Sequence, residues 1–105
     1  MKSSLIYYPI EETYGKNLSD LKLAIELRQN ILEEIDLGFD IEMDFKDVGI
    51  ATNEWCSDVF GFIVKNKGKD FLNKHISIIN VNKNIHKCIL NNINQAFSAK
   101  IQTFF

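Results

Sequence analysis

Residues 39–45 read Phe-Asp-Ile-Glu-Met-Asp-Phe, and this stretch decides the fold class. Apolar and acidic side chains alternate along it, which is the two-residue period of a β-strand. Gly38 stands immediately before it, and glycine is suited to the left-handed cap that ends a helix. The alternation favours either a strand with one solvated face or a strand whose carboxylates cluster at its C-terminal end. We therefore predict a strand here, entered directly from a helix.

The segment before that strand predicts an amphipathic helix. Asn17 is the expected N-cap, and Asp20 falls in the first turn, where a carboxylate favours the positive end of the helix dipole. Apolar residues then recur at steps of three and four, so one face must be buried. That face consists of Leu18, Leu21, Ala24, Ile25, Arg28, Ile31, Leu32 and Ile35.

Further elements follow on both sides. Before the helix, Leu5–Tyr8 is β-prone and closed by Pro9. After strand 39–45, a second helix is expected over Thr52–Asn66, and residues 71–72 pack in a connecting turn. Residues 76–81 form a near-continuous β-branched run, typical of a central strand covered on both faces. Asn82 or Asn84 caps a third helix, and the apolar tail from Ala99 to Phe105 is either an edge strand or a docked extension.

This order predicts an α/β fold with a single small sheet of three to four strands, mostly parallel, packed with about three helices. The 105 residues lie within the size range of one domain, and we find no internal repeat or linker, so residues 1–105 are interpreted as a single domain.

Composition argues against several classes of function. The formal net charge of -2 gives no general attraction to nucleic acid or anionic lipid. No apolar run approaches the roughly 20 residues of a membrane span, and the N-terminus has no signal-peptide pattern, so a cytoplasmic protein is expected. Cys56 and Cys88 lack the spacing of a zinc site, and we expect neither a metal nor a cofactor.

No sequence motif of a catalytic or nucleotide-binding site is present, since the glycine-rich phosphate loops and the G-x-S-x-G elbow are both absent. The acidic residues Asp40, Glu42, Asp44 and Asp47 either form a solvated sheet edge or hold Mg²⁺ beside a phosphoryl acceptor. Trp55, at the start of the second helix, either fills the core or stands in a partner-binding pocket, and its match to the apolar face favours the core.

From Ile41 to Phe97 the chain resembles the STAS-like domain family, small bacterial domains related to sulfate-transporter and anti-sigma-factor-antagonist modules. The resemblance rests on residues 41–48 (Ile-Glu-Met-Asp-Phe-Lys-Asp-Val), residues 54–61 (Glu-Trp-Cys-Ser-Asp-Val-Phe-Gly) and residues 76–81 (Ile-Ser-Ile-Ile-Asn-Val). It implies a STAS-like fold. It also implies a non-catalytic regulatory domain that docks onto a histidine-kinase-type ATPase or a similar switch protein.

In the related antagonists a serine at the start of that helix is phosphorylated by the partner kinase, but this chain has Glu54 just before the aromatic. Three interpretations follow, in order of preference: the switch is lost, Glu54 imitates a permanently charged state, or Thr52 or Ser57 is phosphorylated instead. The expected partner surface consists of Asp47, Thr52, Asn53, Glu54 and Asp58. The alternatives are a receiver-like, Mg²⁺-dependent phosphoryl-handling domain using Asp44 and Asp47, and a homodimer assembled through helix faces and Phe104-Phe105.

Overall fold

The computed structural model describes residues 4–102, which form a parallel three-stranded sheet, a small two-stranded sheet and a set of helices. Residues 53–67 run as one continuous helix, because a π-helical turn at Ser57–Gly61 joins the α-helical segments before and after it. The elements in chain order are β1 (Leu5–Pro9), α1 (Ile10–Tyr14), β2 (Asn17–Leu18), α2 (Leu21–Asp36), β3 (Asp40–Asp44), β4 (Ile50–Ala51), α3 (Asn53–Cys56), α4 (Phe62–Lys67), α5 (Lys69–His75), β5 (Ile76–Ile79) and α6 (Lys83–Gln102).

The main sheet has the order β1-β3-β5, and both of its strand pairs are parallel. The alternating strand β3 is therefore the central one, and the prediction that residues 76–81 would be central is wrong. The β-branched run correctly predicted a strand, but β propensity does not determine whether that strand lies at the centre or the edge of the sheet. On β5, only Ile76 is buried, whereas Ile78 and Ile79 are half-buried.

The predicted helix start at Asn17 is also wrong, because Asn17–Leu18 is strand β2 and pairs with β4. Leu18 is buried, and its carbonyl accepts a hydrogen bond from the Thr52 amide at 2.9 Å. Asp20 is the actual N-cap of α2, and its Oδ1 accepts the amides of Lys22 at 2.9 Å and Leu23 at 3.2 Å. A tertiary strand pairing thus moved the helix start by one turn.

Helix α2 buries a face made of Ala24, Leu27, Ile31 and Ile35. Leu21 and Ile25, expected on that face, are 41% and 37% exposed. The C-terminus is as predicted: Gly38 has φ of 101°, and the amides of Gly38 and Phe39 bond back to the carbonyls of Ile35 and Glu34.

The predicted α/β class and mostly parallel sheet are confirmed, and the small two-stranded sheet β2-β4 adds to the single sheet that was expected. The three expected long helices correspond to α2, the 53–67 helix and α6, and the short helices α1 and α5 add to them. Phe71 and Leu72 belong to α5 rather than to a turn. The tail expected from Ala99 to Phe105 as an edge strand or a docked extension is instead part of α6 over residues 99–102, and its last residues, including Phe104-Phe105, lie outside the described residues.

The two faces of the main sheet have different surroundings. Ile41 and Met43 point to the face that joins the hydrophobic core, where α2 and the other long helices pack. The opposite face carries Asp40, Glu42 and Asp44 from the same strand. Among residues 4–102, no helix has the length and apolar character needed to cross a membrane.

Candidate interaction surface at the C-terminal edge of the sheet

The candidate surface begins at Asp44, the last residue of β3, which is only 8% exposed. Its Oδ2 accepts a hydrogen bond from the Tyr7 hydroxyl, and its Oδ1 accepts the Asn80 side-chain amide at 3.0 Å and the Lys46 backbone amide at 2.9 Å. These bonds connect the end of β3 to the middle of β1 and to the loop after β5. They also hold the pKa of the Asp44 carboxyl below its usual value, the Tyr7 bond contributing most.

The loop after β3 is held in place by a set of backbone and side-chain hydrogen bonds. The Phe45 amide donates to the Ile79 carbonyl at 3.0 Å, and the Val48 amide closes a turn on the Phe45 carbonyl. Asn82 donates to the carbonyls of Val48 and Gly49, both at 3.2 Å, while its own Oδ1 caps α6 by accepting the Ile85 amide at 2.9 Å. The loop is therefore anchored to the last helix.

Asp47 is exposed at the tip of this loop and has a left-handed backbone with φ of 66°. Asn80, in the loop after β5, has φ of 57°. Aspartate and asparagine are the non-glycine residues that best tolerate this conformation. The two residues line one groove at the sheet edge, together with Phe45, Val48, Val81 and Asn82.

The helix at residues 53–67 begins beside this loop, and its first turn is fixed by two side chains. The Thr52 hydroxyl caps the helix by accepting the Trp55 amide at 3.2 Å. The Asn53 Oδ1 accepts the side-chain amide of Asn92 on α6 at 2.9 Å, and Asn92 is itself buried. Thr52 and Asn53 thus have structural roles, while Glu54 stands exposed in the first turn.

Trp55 lies in the core, as its position on the apolar face favoured. It is 1% exposed, and its ring centroid lies 6.3 Å from those of both Phe45 and Phe60. Cys56 is fully buried beside it, and burial raises the pKa of its thiol, which disfavours the reactive thiolate. A partner-binding pocket around Trp55 is therefore excluded.

The structure brings four of the predicted partner-surface residues together in one short segment. Asp47 is at the loop tip, and residues 52–54 form the helix start. Asp58 follows Glu54 by four residues, one helical turn further along, and is half-buried. Its carbonyl accepts a hydrogen bond from Arg28 at 2.9 Å, and the Arg28 guanidinium lies 3.6 Å from the centre of the Phe62 ring.

The two predicted phosphorylation positions have different environments. The Thr52 hydroxyl oxygen is used by the helix cap, whereas Ser57 is exposed in the π-helical turn. Ser57 borders a groove between the 53–67 helix and α6, lined also by Gly61, Lys65, Asn92 and Gln95. A Cβ at Gly61 would lie 3.7 Å from the Asn92 carbonyl oxygen, which is an ordinary van der Waals distance, so the groove does not require glycine there.

Of the two predicted Mg²⁺ ligands, Asp47 has an exposed side chain, whereas the side-chain oxygens of Asp44 are engaged in hydrogen bonds. Both oxygens of Asp44 already accept hydrogen bonds, and a cation would compete with the three donors. Within the part of the chain that the structure describes, no group of three or more His, Cys, Asp or Glu side chains is arranged to hold a metal ion.

The sequence interpretation missed the residues that hold the surface in place, namely Tyr7, Arg28, Asn80, Asn82 in its contact with the loop, and Asn92. Asn82 was expected as a helix cap, but its second role depends on the loop packing against it. Asparagine following a buried strand was the available signal for Asn80.

A protein-family model matches most of the central part of the chain. A family model described as a STAS-like domain of unknown function (DUF4325) matches residues 24–86, more than half of the chain. The matched segment contains β3, the loop after it, the 53–67 helix and β5, and leaves β1 outside. No curated protein and no solved structure matches the chain.

Proposed function

The chain belongs to the STAS-like domain family DUF4325, and from that premise we propose that it is a non-catalytic regulatory domain that binds another protein. Its partner is a histidine-kinase-type ATPase or a similar switch protein, acting in the cytoplasm. Its partner surface is the loop after β3 together with the first two turns of the 53–67 helix.

One observation carries this proposal: exposed acidic side chains are displayed on a backbone that is fixed on several sides. Asp47 and Glu54 are exposed, while Asn82, Thr52 and Asn53 anchor the segments that carry them. A pre-organised surface loses little conformational entropy on binding, so more of its contact energy appears as affinity.

Glu54 defines the regulatory state in this proposal. It occupies the first turn, where a negative charge is favoured by the helix dipole, and it cannot be phosphorylated. The domain therefore presents a fixed negative charge to its partner. Ser57, exposed one turn further along, is the hydroxyl available for added phosphate, because the Thr52 oxygen is used by the cap.

The test is affinity purification from the native host with tagged wild type, Glu54→Lys and a matched control, Glu26→Lys. Glu26 is exposed on α2, so the control makes the same charge change away from the partner surface. We expect wild type and the control to retain an ATPase or another switch protein that Glu54→Lys loses. With the purified partner, Glu54→Lys should weaken binding about tenfold or more.

Equal retention of that partner by all three proteins would refute the proposed surface. Retention of no switch protein by wild type would refute the proposed function. A Ser57→Ala variant then addresses regulation, because phosphate that enters the domain at Ser57 should disappear in this variant and persist in Thr52→Val.

A further inference from the structure

Among the residues that the structure describes, 4–102, little packs on the face of the main sheet opposite the core, which is called the open face below. Leu5 and Tyr7, on β1, are 57% and 53% exposed. In the strand register Tyr7 stands beside Glu42 and Ser77, so these three side chains form one row across the sheet. Ser77 is exposed and Glu42 is half-buried although it lies at the middle of the central strand.

An open face is unusual for a sheet of this kind. Purely parallel sheets occur almost entirely with both faces covered, since their crossover connections place helices on each side. Here both strand pairs are parallel, and the core lies on one face. Apolar and aromatic groups at Leu5, Tyr7 and Ile79 stand on the other face, where water contact is unfavourable. The fold therefore presents a surface suited to an additional layer.

The charge of this face indicates what that layer would be. Asp40, Glu42 and Asp44 all project from β3 to this side. The Tyr7 hydroxyl has its pKa raised to about 12, chiefly by its hydrogen bond to Asp44, with the charges of Glu12 and Glu42 adding to it. The groups near this face that can carry a positive charge are His75, whose Nδ1 is 2.8 Å from Asp40, and Lys46, which follows the end of β3. Carboxylates thus dominate the face.

A second copy of the chain is a poor occupant, because two such faces would bring the same carboxylates against each other. A cationic partner has the complementary charge. The mixture of exposed apolar and acidic side chains matches an amphipathic helix, which is also the element that normally covers a parallel sheet.

We propose that the open face of the sheet docks a cationic amphipathic helix of a partner protein. The lysine or arginine side chains of that helix pair with Glu42 and Asp40. Its apolar side chains cover Leu5 and Tyr7. This face adjoins the loop to which the proposed function assigns its partner surface, since Tyr7 and Asp47 line one pocket. The inference rests on the exposure and charge of the sheet face and does not rest on that assignment.

The test is site-specific photo-cross-linking in the native host. The full chain carries p-benzoylphenylalanine in place of Leu5, whose side chain is exposed on this face. Cross-linked peptides are mapped by mass spectrometry in three backgrounds: wild type, Glu42→Lys and Glu26→Lys. Glu26→Lys makes the same charge change on α2, at the other face of the sheet, and Glu42→Gln provides a milder second variant.

We expect the adduct to contain a segment of another protein with lysine or arginine at helical spacing. Its yield should fall about tenfold in Glu42→Lys and stay at the wild-type level in Glu26→Lys. Glu42→Gln should give an intermediate yield. A thermal melt of each variant checks that the domain remains folded.

Four outcomes would overturn the proposal. These are an adduct between two copies of this chain, an adduct with an acidic or uncharged segment, a yield that Glu42→Lys does not lower, and the absence of any adduct in irradiated host cells.

Discussion

The side chains on the two faces of the central strand β3 differ in exposure and in the groups that surround them. On the covered face, Ile41 and Met43 are fully buried by the helices and the rest of the core. On the open face, Asp40 and Glu42 remain partly exposed, and Asp44 is buried while holding hydrogen bonds to Tyr7 and Asn80. The strict alternation of β3 thus separates a packing face from a polar face. It does not determine what lies over the polar one.

The same contrast exists along the open face. Asp44, at the C-terminal end of β3, accepts three hydrogen bonds, from Tyr7 in β1, from Asn80 after β5 and from the Lys46 amide. Asp40, at the other end, has one side-chain contact, with Nδ1 of His75 at 2.8 Å, and both side chains are about a quarter to a third exposed. Partly exposed pairs of this kind contribute little to stability, about 0–1 kcal/mol. We therefore expect Asp44 to contribute more to the stability of the fold than Asp40.

The largest effect should come from the covered face. Met43→Ala removes most of a fully buried side chain and leaves a cavity, which should cost about 2–5 kcal/mol of unfolding free energy. Urea denaturation followed by far-ultraviolet circular dichroism measures it, with Glu42→Ala as the matched change on the open face. Comparable losses in the two variants would show that the open face is packed as well.

Asp44→Asn should have the second largest effect, because it removes the charge that three donors stabilise. Its loss of stability should be smaller than that of Met43→Ala and larger than that of Asp40→Asn. Since the pKa of Asp44 is lowered in the folded state, its contribution is present in full well above the ordinary value of 3.8. It is lost as the pH falls through the folded value.

Urea denaturation of wild type and Asp44→Asn at pH 7 and at successively lower pH values measures this dependence. The difference in stability between the two proteins should shrink as the pH falls below 3.8. A difference that is constant with pH would mean that the Asp44 charge does not carry the effect.

Tyr7 offers a direct measurement of the same contact. Its pKa is raised to about 12 by the bond to Asp44, by desolvation and by neighbouring carboxylates. The neutral phenol is therefore the form that folding favours. Its contribution is present below the unfolded value of 10.0 and is lost as the pH rises through about 12.

Ultraviolet titration of tyrosinate, with Tyr7→Phe to identify the signal, should show this pKa move toward 10.0 in Asp44→Asn. An unchanged Tyr7 titration in Asp44→Asn would contradict the contact.

Part of the difference between the two faces of β3 could be predicted from the sequence, and the predictions that failed did so for physical reasons. The period of residues 39–45 and the position of Gly38 are local signals, and both predicted the observed structure. The helix start at Asn17 failed because β2 exists only through its pairing with β4, a contact 33 residues away along the chain. The central strand was misassigned because the β-branched run at residues 76–81 indicated burial on both faces, whereas β propensity does not determine a strand's place in a sheet.

For the candidate surface, local patterns placed Asp47, Glu54 and their neighbours in one segment of the chain. They could not reveal the anchoring contacts of Asn82 and Asn92, because each depends on α6 folding back over the loop or helix. Nor could they reveal the Tyr7–Asp44 bond, which joins residues that are distant in sequence and lie two register positions apart on neighbouring strands. Side-chain roles that arise from tertiary packing leave little local signal.

The smallest effect is expected at Glu42, the middle of the open face. Glu42→Gln removes one charge from a partly solvated position without opening a cavity, so the unfolding free energy should change by no more than about 0.5 kcal/mol. Urea denaturation measures it beside Met43→Ala, the neighbouring residue on the other face. A loss near that of Met43→Ala would mean that Glu42 supports the fold itself. A negligible loss, joined with reduced cross-linking from position 5, would assign Glu42 to docking, because its carboxylate would then matter only when a partner is bound.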